Sequence, residues 1–449
     1  MMIMWIIKKN IFKLMLIFIL MILVFTSNVN AAKNFMGIIQ DIVGPKMKGN
    51  SGKIPFAGYV SEGGLMVGEF IYDFDLFDKN TKFYSANIVS LTTDIIVSYN
   101  QLRNYPLSDK WRLGGDLIFV KYTELEAGGI GNDTPDQEIP EEAVAALSKF
   151  VNLDQERQDV IVRVLKGKES KSQLTAEEAE IAVALAENKD RLNGYQSSAG
   201  WQGKAAVNLA YLLDKHHSII TEYTYQILDS EMRSYEYKAD ALSLAWEEEY
   251  VDDTNNPREG HKIITKVKKS LNLLSHDANN NWDYTKLTFD IRKYLPVFTN
   301  STLALRFRTE SISGEDRLDK DRTALKKLYT GDLDAEAYTC APYFDMASLG
   351  DLNSMRGYYY NRFYDKNSSL YQVELRFPME YLLSNLQGTV FASAGRVSDE
   401  FNTELFTEDM HYCYGLGLRY NFLGGVIIRG DIGFSKEGSQ VRMNMGHSF

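Results

Sequence analysis

A chain of 449 residues with 49 Lys and Arg against 60 Asp and Glu carries a net charge of −11, which removes any electrostatic reason to bind nucleic acid. Two cysteines, Cys340 and Cys413, exclude a disulfide framework in a chain this long and leave open whether the two pair. The sequence carries no zinc-type Cys or His spacing, no phosphate loop, no Gly-x-Ser-x-Gly and no other catalytic constellation, so it reads as a non-enzyme without metal or cofactor.

In chain order, the first element is an export signal over residues 1–31. Lys8, Lys9 and Lys13 precede an apolar run from Leu14 to Phe25, and Val29-Asn30-Ala31 supplies small residues for cleavage near Ala31. The run is shorter than the roughly 20 residues a spanning helix needs. Cleavage would move the net charge to −14. Residues 32–53 form a short segment, expected on the periplasmic side, too small for a folded domain.

From residue 54 onward the dominant pattern is period two. In 411–422, Tyr412, Tyr414, Leu416, Leu418, Tyr420 and Phe422 alternate with Cys413, Gly415, Gly417, Arg419 and Asn421. In 370–379, Tyr371, Val373, Leu375 and Phe377 alternate with Gln372, Glu374 and Arg376. Similar alternation occupies 285–292 and 302–310. One face suits lipid and an aromatic girdle, the other a polar lumen, and repetition with charge on the inner face favours a membrane barrel over a soluble sheet. The alternation marks sixteen strands: 54–61, 64–77, 83–92, 94–104, 111–123, 197–213, 216–230, 242–252, 259–275, 279–293, 301–313, 367–378, 386–397, 411–422, 425–435 and 440–449. The fold class is therefore all-β, a transmembrane antiparallel barrel of about 16 strands over 54–449, placed in the outer membrane. With both ends periplasmic, the long loops fall outside, after the fifth, seventh, eleventh and thirteenth strands. His216 and His217 lie in a strand and point to opposite faces, which disfavours a shared metal.

Residues 124–196 break the period and read as a small helical insertion in an extracellular loop. Pro140 suits a first helical position, Val144, Leu147 and Val151 have helical spacing, and Thr175-Ala176-Glu177-Glu178 is a capping box ahead of Ile181 and Leu185. Between Glu124 and Arg191 the segment holds 16 acidic and 8 basic residues. Residues 314–366 form a second long loop. The last strand, 440–449, is expected to pair with the first, with Val441, Met443, Met445, His447 and Phe449 on the lipid face.

Three stretches of the second half resemble the BamA/TamA superfamily of outer-membrane barrels, the bacterial surface antigen family, as a short member without periplasmic repeat domains. The first runs from Leu242 through Asp253-Thr254-Asn255-Asn256-Pro257-Arg258-Glu259-Gly260. The second holds Ser348-Leu349-Gly350, Met355-Arg356-Gly357-Tyr358 and Glu374-Leu375-Arg376-Phe377-Pro378. The third holds Phe391-Ala392-Ser393-Ala394-Gly395, Arg429-Gly430-Asp431 and Met445-Gly446-His447-Ser448-Phe449. More loosely, Gly129-Ile130-Gly131-Asn132 resembles short members. The resemblance implies that 314–366 folds into the lumen through Arg356, Gly357 and Tyr358, and that Arg356 pairs with an acidic residue. Ser393 stands at the family's acidic position, so Glu374 or Asp431 is expected to compensate. The resemblance also makes Phe449 a C-terminal insertion signal. The implied activity is assistance to envelope proteins as they insert or cross. Implied partners are outer-membrane lipid, the assembly machinery during the chain's own insertion, and a substrate polypeptide or separate periplasmic partner. A passive pore or structural barrel, or a surface interaction protein acting through the acidic helical loop, remain the alternatives.

Overall fold

The computed structural model describes residues 51–449 except 62, 78, 128–140, 188–195, 231–235, 276, 278, 320–322, 325, 328–332, 381–384 and 423–425. The export signal, Pro140 and Gly129–Asn132 lie outside the described residues.

One antiparallel sheet of sixteen strands dominates the chain. Its first eleven members are β1 (Ser51–Val60), β2 (Gly64–Leu76), β3 (Thr81–Ser90), β4 (Ile96–Pro106), β5 (Trp111–Ala127), β6 (Gln196–Leu212), β7 (His217–Ser230), β8 (Tyr237–Val251), β9 (Gly260–Ser270), β10 (Tyr284–Phe298) and β11 (Ser301–Gly314). The long loop then contributes two small hairpin pairs, β12 (Arg317–Leu318) with β13 (Tyr338–Thr339) and β14 (Ala347–Leu349) with β15 (Phe363–Asp365). The sheet resumes with β16 (Asn367–Pro378), β17 (Leu386–Ser398), β18 (His411–Phe422), β19 (Val426–Ser435) and β20 (Gly438–Met445). Each expected strand has a counterpart, and the first begins at Ser51 rather than residue 54. No helix among the described residues is long and apolar enough to cross a membrane.

Two boundaries differ from the alternation. The ninth strand stops at Ser270 because the Asp240 carboxylate accepts the backbone N–H groups of Leu273, Leu274 and Ser275 and bends the chain away. The tenth accordingly starts at Tyr284 and runs to Phe298, past a register shift between Pro296 and Phe298, where a proline is tolerated. This corrects the loop assignment. The long connection follows the ninth strand, over 271–283, whereas only residues 231–236 separate the seventh and eighth. His216 sits in the turn before β7, not within it. Its ring and that of His217 both meet Tyr250, with centroids 4.0 and 5.6 Å apart, so the two do not face opposite sides.

The outer face carries the expected apolar belt in the second half. Tyr412, Tyr414, Leu416 and Leu418 are 50–66% exposed, while Arg419 on the other face is 1% exposed. In the first strands the apolar character extends to the inner face as well. Met66 shares a cluster with Cys340 and Met346 of the long loop, which fixes its face as the inner one. On that face Phe70, Tyr72, Phe74, Tyr84 and Tyr99 pack together. Beside the exposed Tyr59, Leu65 and Val89, their outer face holds a hydrogen-bonded polar set: Ser85 Oγ to Asn100 Oδ1 at 2.8 Å, Ser98 Oγ to Asn87 Oδ1 at 3.1 Å, and Asn100 Nδ2 to Ser98 Oγ at 3.1 Å. Mutual bonding is what makes such groups tolerable away from water.

The insertion forms α1 (Glu141–Val151), α2 (Gln155–Leu165) and α3 (Ala176–Glu187). Leu147, Phe150, Ile161, Ile181 and Leu185 bury their side chains together, and Ala324 of the long loop joins the same core. Lys327 Nζ reaches Asp159 at 3.0 Å. The insertion and the outer part of the long loop are therefore one packed cap. The capping box is reciprocal: Glu178 N–H donates to Thr175 Oγ1 at 3.2 Å, and Thr175 N–H to Glu178 Oε2 at 2.8 Å. The Arg157 guanidinium, then Thr175, hold the Glu178 carboxyl down to about 2, from an ordinary value near 4.5. A depressed carboxylate stabilises fully above its unfolded value and loses that stabilisation as pH falls toward its folded one. Hydrogen exchange in α2 and α3 is thus expected to accelerate between about pH 4.5 and about pH 2, and Glu178→Gln to flatten that dependence. An unchanged pH profile in the variant would remove Glu178 as its source.

Candidate functional site in the barrel lumen

The loop between β14 and β15 lies against the inner wall. Gly357 makes this approach possible: a Cβ there would stand 2.8 Å from the Phe434 carbonyl and 2.9 Å from Cys413 Cβ. Gly433 answers it from the wall, where a Cβ would stand 2.6 Å from the Arg356 carbonyl. Two backbones thus touch where neither tolerates a side chain. Ser435 Oγ donates to the Gly357 carbonyl at 2.8 Å. Tyr358 is buried, gives its hydroxyl hydrogen to the Tyr412 carbonyl at 3.1 Å, and packs edge-on against Phe363.

Arg356 is fully buried and forks between two carboxylates. Its Nη2 reaches Glu374 Oε2 and its Nη1 reaches Asp431 Oδ2, each at 2.8 Å. The guanidinium also lies 3.5 Å from the Phe391 ring centroid. Of the three candidate partners, the structure brings Glu374 and Asp431 to Arg356. Ser393 instead accepts a bond from Gln372 Nε2 at 3.4 Å. β16 aims Glu374 inward because it pairs with Phe391 of β17 and Ala304 of β11, both inner positions. β19 aims Asp431 inward opposite Gly417 and Arg442. Gly417 leaves the room that Asp431 and Arg419 occupy.

Arg376 and Arg419 join the same carboxylates, at 2.8 and 3.3 Å from Glu374, and Arg419 Nη1 lies 2.6 Å from Asp431. Arg429 stands 4.0 Å from Asp431 and donates to the Leu352 carbonyl and Asn353 Oδ1. The sequence reading did not assign Arg376, Arg419 and Arg429 to the site, although the alternation in their strands already put them on the polar face. A buried network of this kind is held because removing any member strands the others' charge.

The C-terminal residues complete the cluster from inside, which corrects the lipid-facing tail. β20 ends at Met445, Gly446 adopts a positive φ of 75°, and the chain turns into the lumen. Ser448 Oγ donates to Glu374 at 3.1 Å, His447 pairs with Asn256 at 2.8 Å, and Phe449 is buried against Tyr294 and Ala304. The Phe449 ring faces Arg306 and Arg376 at 6.0 and 5.6 Å, and its terminal carboxylate oxygen accepts from Arg376 at 2.8 Å. Val441 and Met443 keep outer positions in the alternation, opposite to the buried Gln440 and Arg442. Cys340 and Cys413 are both buried and free.

Among the described residues the sheet order runs from β1 to β20 with no ladder joining the two. They meet where Ser61 N–H donates to the Val441 carbonyl at 3.1 Å and Val441 N–H to Ser61 Oγ at 2.8 Å.

No curated protein matches the sequence. Solved structures similar to this chain include BamA from Haemophilus ducreyi lacking POTRA domains 1-3, with 12% identity, 89% of this chain and 71% of that chain covered, and a TM-score of 0.47. CdiB from Acinetobacter baumannii is similar at 10% identity over 88% of this chain, and CdiB from Escherichia coli at 10% over 86%, each with a TM-score of 0.47. The chain spans 59% and 58% of those two CdiB chains. The model of the Omp85 superfamily domain matches residues 152–449, two thirds of the sequence, and the chain belongs to the Omp85 superfamily.

Proposed function

We propose that this chain is an outer-membrane barrel that helps a polypeptide insert into or cross the membrane, with the β1–β20 seam as the working edge and the 347–365 loop as a plug. The observation that carries this reading is the seam. Among the described residues fifteen neighbouring strand pairs are joined by ladders, and the first and last strands are not. Unpaired backbone groups in hydrocarbon cost several kcal/mol each, so such an edge favours pairing with an incoming strand. In this reading 51–449 is the barrel and the cap with the acidic insertion lies outside. The ladderless seam disfavours a purely structural barrel. Outer-membrane lipid, a substrate chain and a separate periplasmic partner are the expected contacts, and Phe449 serves the chain's own insertion before the tail folds inward.

The test is a cysteine pair, Ser61→Cys with Val441→Cys, in the full chain reconstituted in lipid vesicles with a small unfolded outer-membrane barrel as client. Oxidation is expected to bring client folding down to the rate in empty vesicles, and reduction to restore it. Equal folding rates in the two redox states would exclude the seam as the working edge. Acceleration absent in both, with steady ion conductance, would favour the passive pore.

A further inference from the structure

Two lysines stand directly opposite each other on the inner wall. Lys268 of β9 pairs with Lys286 of β10, and both side chains are largely buried. Like charges at a cross-strand pair repel, and more so where water is scarce. Glu310 of β11 answers Lys286 at 3.1 Å. Lys268 is answered from the long loop, where Asp345 Oδ1 lies 2.5 Å from its Nζ. The Tyr284 hydroxyl donates to the other oxygen of Asp345, and Lys286 Nζ donates to the Asp345 and Met346 carbonyls at 3.2 and 3.4 Å. Asp345 is buried and ends the turn Tyr343–Asp345. Its neighbours Phe344 and Met346 belong to the apolar cluster of Tyr284 and Cys340. A carboxylate in such surroundings is tolerated only while it is paired.

The tip of the same loop is fixed elsewhere and with the opposite sign. Arg356 binds Glu374 of β16 and Asp431 of β19, and Arg362 binds Glu437 beyond the end of β19. The tip also has its own apolar cluster, in which Leu349, Met355, Tyr358 and Phe363 pack with Cys413 of β18. The loop therefore presents an acid to a pair of lysines on one stretch of wall and bases to carboxylates on another. Each anchor is surrounded by a separate buried cluster, and each cluster holds one free cysteine.

We propose that the long loop is a strap with two separately releasable charged anchors, Asp345 on the β9–β10 wall and Arg356 on the β16–β19 wall, so that its outer half lifts while the tip stays seated. Opposite signs make the separation possible: a cation that competes for Asp345 has no attraction for Arg356, and an anion that competes for Arg356 has none for Asp345. Release at Asp345 uncovers the lysine pair and the Tyr284 cluster, whereas release at Arg356 uncovers the wall around Cys413. The strap stands on these contacts alone and does not require the proposed transport activity, because thiol exposure and not client folding reads it.

The two native cysteines are the reporters. The full chain, refolded in lipid vesicles, is treated with a maleimide, and the labelling rates of Cys340 and Cys413 are read separately by peptide mass spectrometry on the heat-modifiable folded fraction. Both thiols, each 1% exposed, should react slowly in the wild type. Asp345→Asn is expected to speed labelling of Cys340 by about tenfold or more and to leave Cys413 unchanged. Tyr284→Phe, which removes one hydroxyl, should give the same pattern by a smaller factor and keeps the test open should Asp345→Asn not fold. Arg356→Lys should do the reverse, loosening Cys413 while Cys340 stays protected. Equal acceleration of both thiols in Asp345→Asn or Tyr284→Phe would show that the loop leaves as one unit, and unchanged protection of Cys340 in both variants would remove Asp345 as an anchor; either result overturns the proposal.

Discussion

Arg356→Ala is expected to destabilise the barrel by about 3–5 kcal/mol, the range for breaking one side of a buried ion pair. Glu374 and Asp431 would keep Arg376 and Arg419 but lose the guanidinium that ties the loop to the wall. The loop then keeps Tyr358, Ser435, the Gly357–Gly433 contact and the bonds from Arg429 and Gln372 to Leu352 and Asn353 but loses its charged anchor at Arg356, so leakage through the reconstituted barrel should rise with the fall in stability. Arg356→Lys is expected to recover only part of the loss. One ammonium cannot reproduce a planar fork with one nitrogen on each carboxylate. Urea unfolding of the refolded barrel and single-channel recording are the measurements. A lysine variant as stable and as tight as the wild type would show that charge alone suffices, and an alanine variant within about 1 kcal/mol of it would remove Arg356 as the anchor.

Phe449→Ala is expected to cost about 3–5 kcal/mol, the range for deleting a buried aromatic ring. Phe449 is 5% exposed, packs on Tyr294 and Ala304, and presents its ring to Arg306 and Arg376. Phe449→Leu should cost less but not nothing, because the ring's attraction for the two guanidiniums is lost. Asn444→Ala, at an inner but partly exposed position, should change little. The folded, heat-modifiable fraction in membrane preparations ranks the three variants. A leucine variant equal to wild type would favour a lipid-facing residue over one held in a guanidinium box.

What the sequence determined by itself is what local chemistry dictates. Alternating Cβ directions make a strand visible as period two, so Tyr412 to Arg419 announced both a strand and its two faces. The Thr175–Glu178 box announced a helix start because its two hydrogen bonds lie within four residues. Arg356 and its acidic candidates were legible from charged residues at inner positions. Ser393 was not separable from Glu374 and Asp431, since which side chain a loop reaches depends on where the loop lands. Period two also fails to say which face turns inward. The inward face of the first strands follows from how they pack against the long loop, with Met66 in one buried cluster with Cys340 and Met346, which no local pattern encodes. The same holds for Ala324 closing the helical cap and for the inward turn at Gly446. A glycine permits a positive φ without requiring it. Only the buried arginines and the Tyr294 pocket, assembled from strands far apart in sequence, gave residues 447–449 a better place inside the barrel than along its edge.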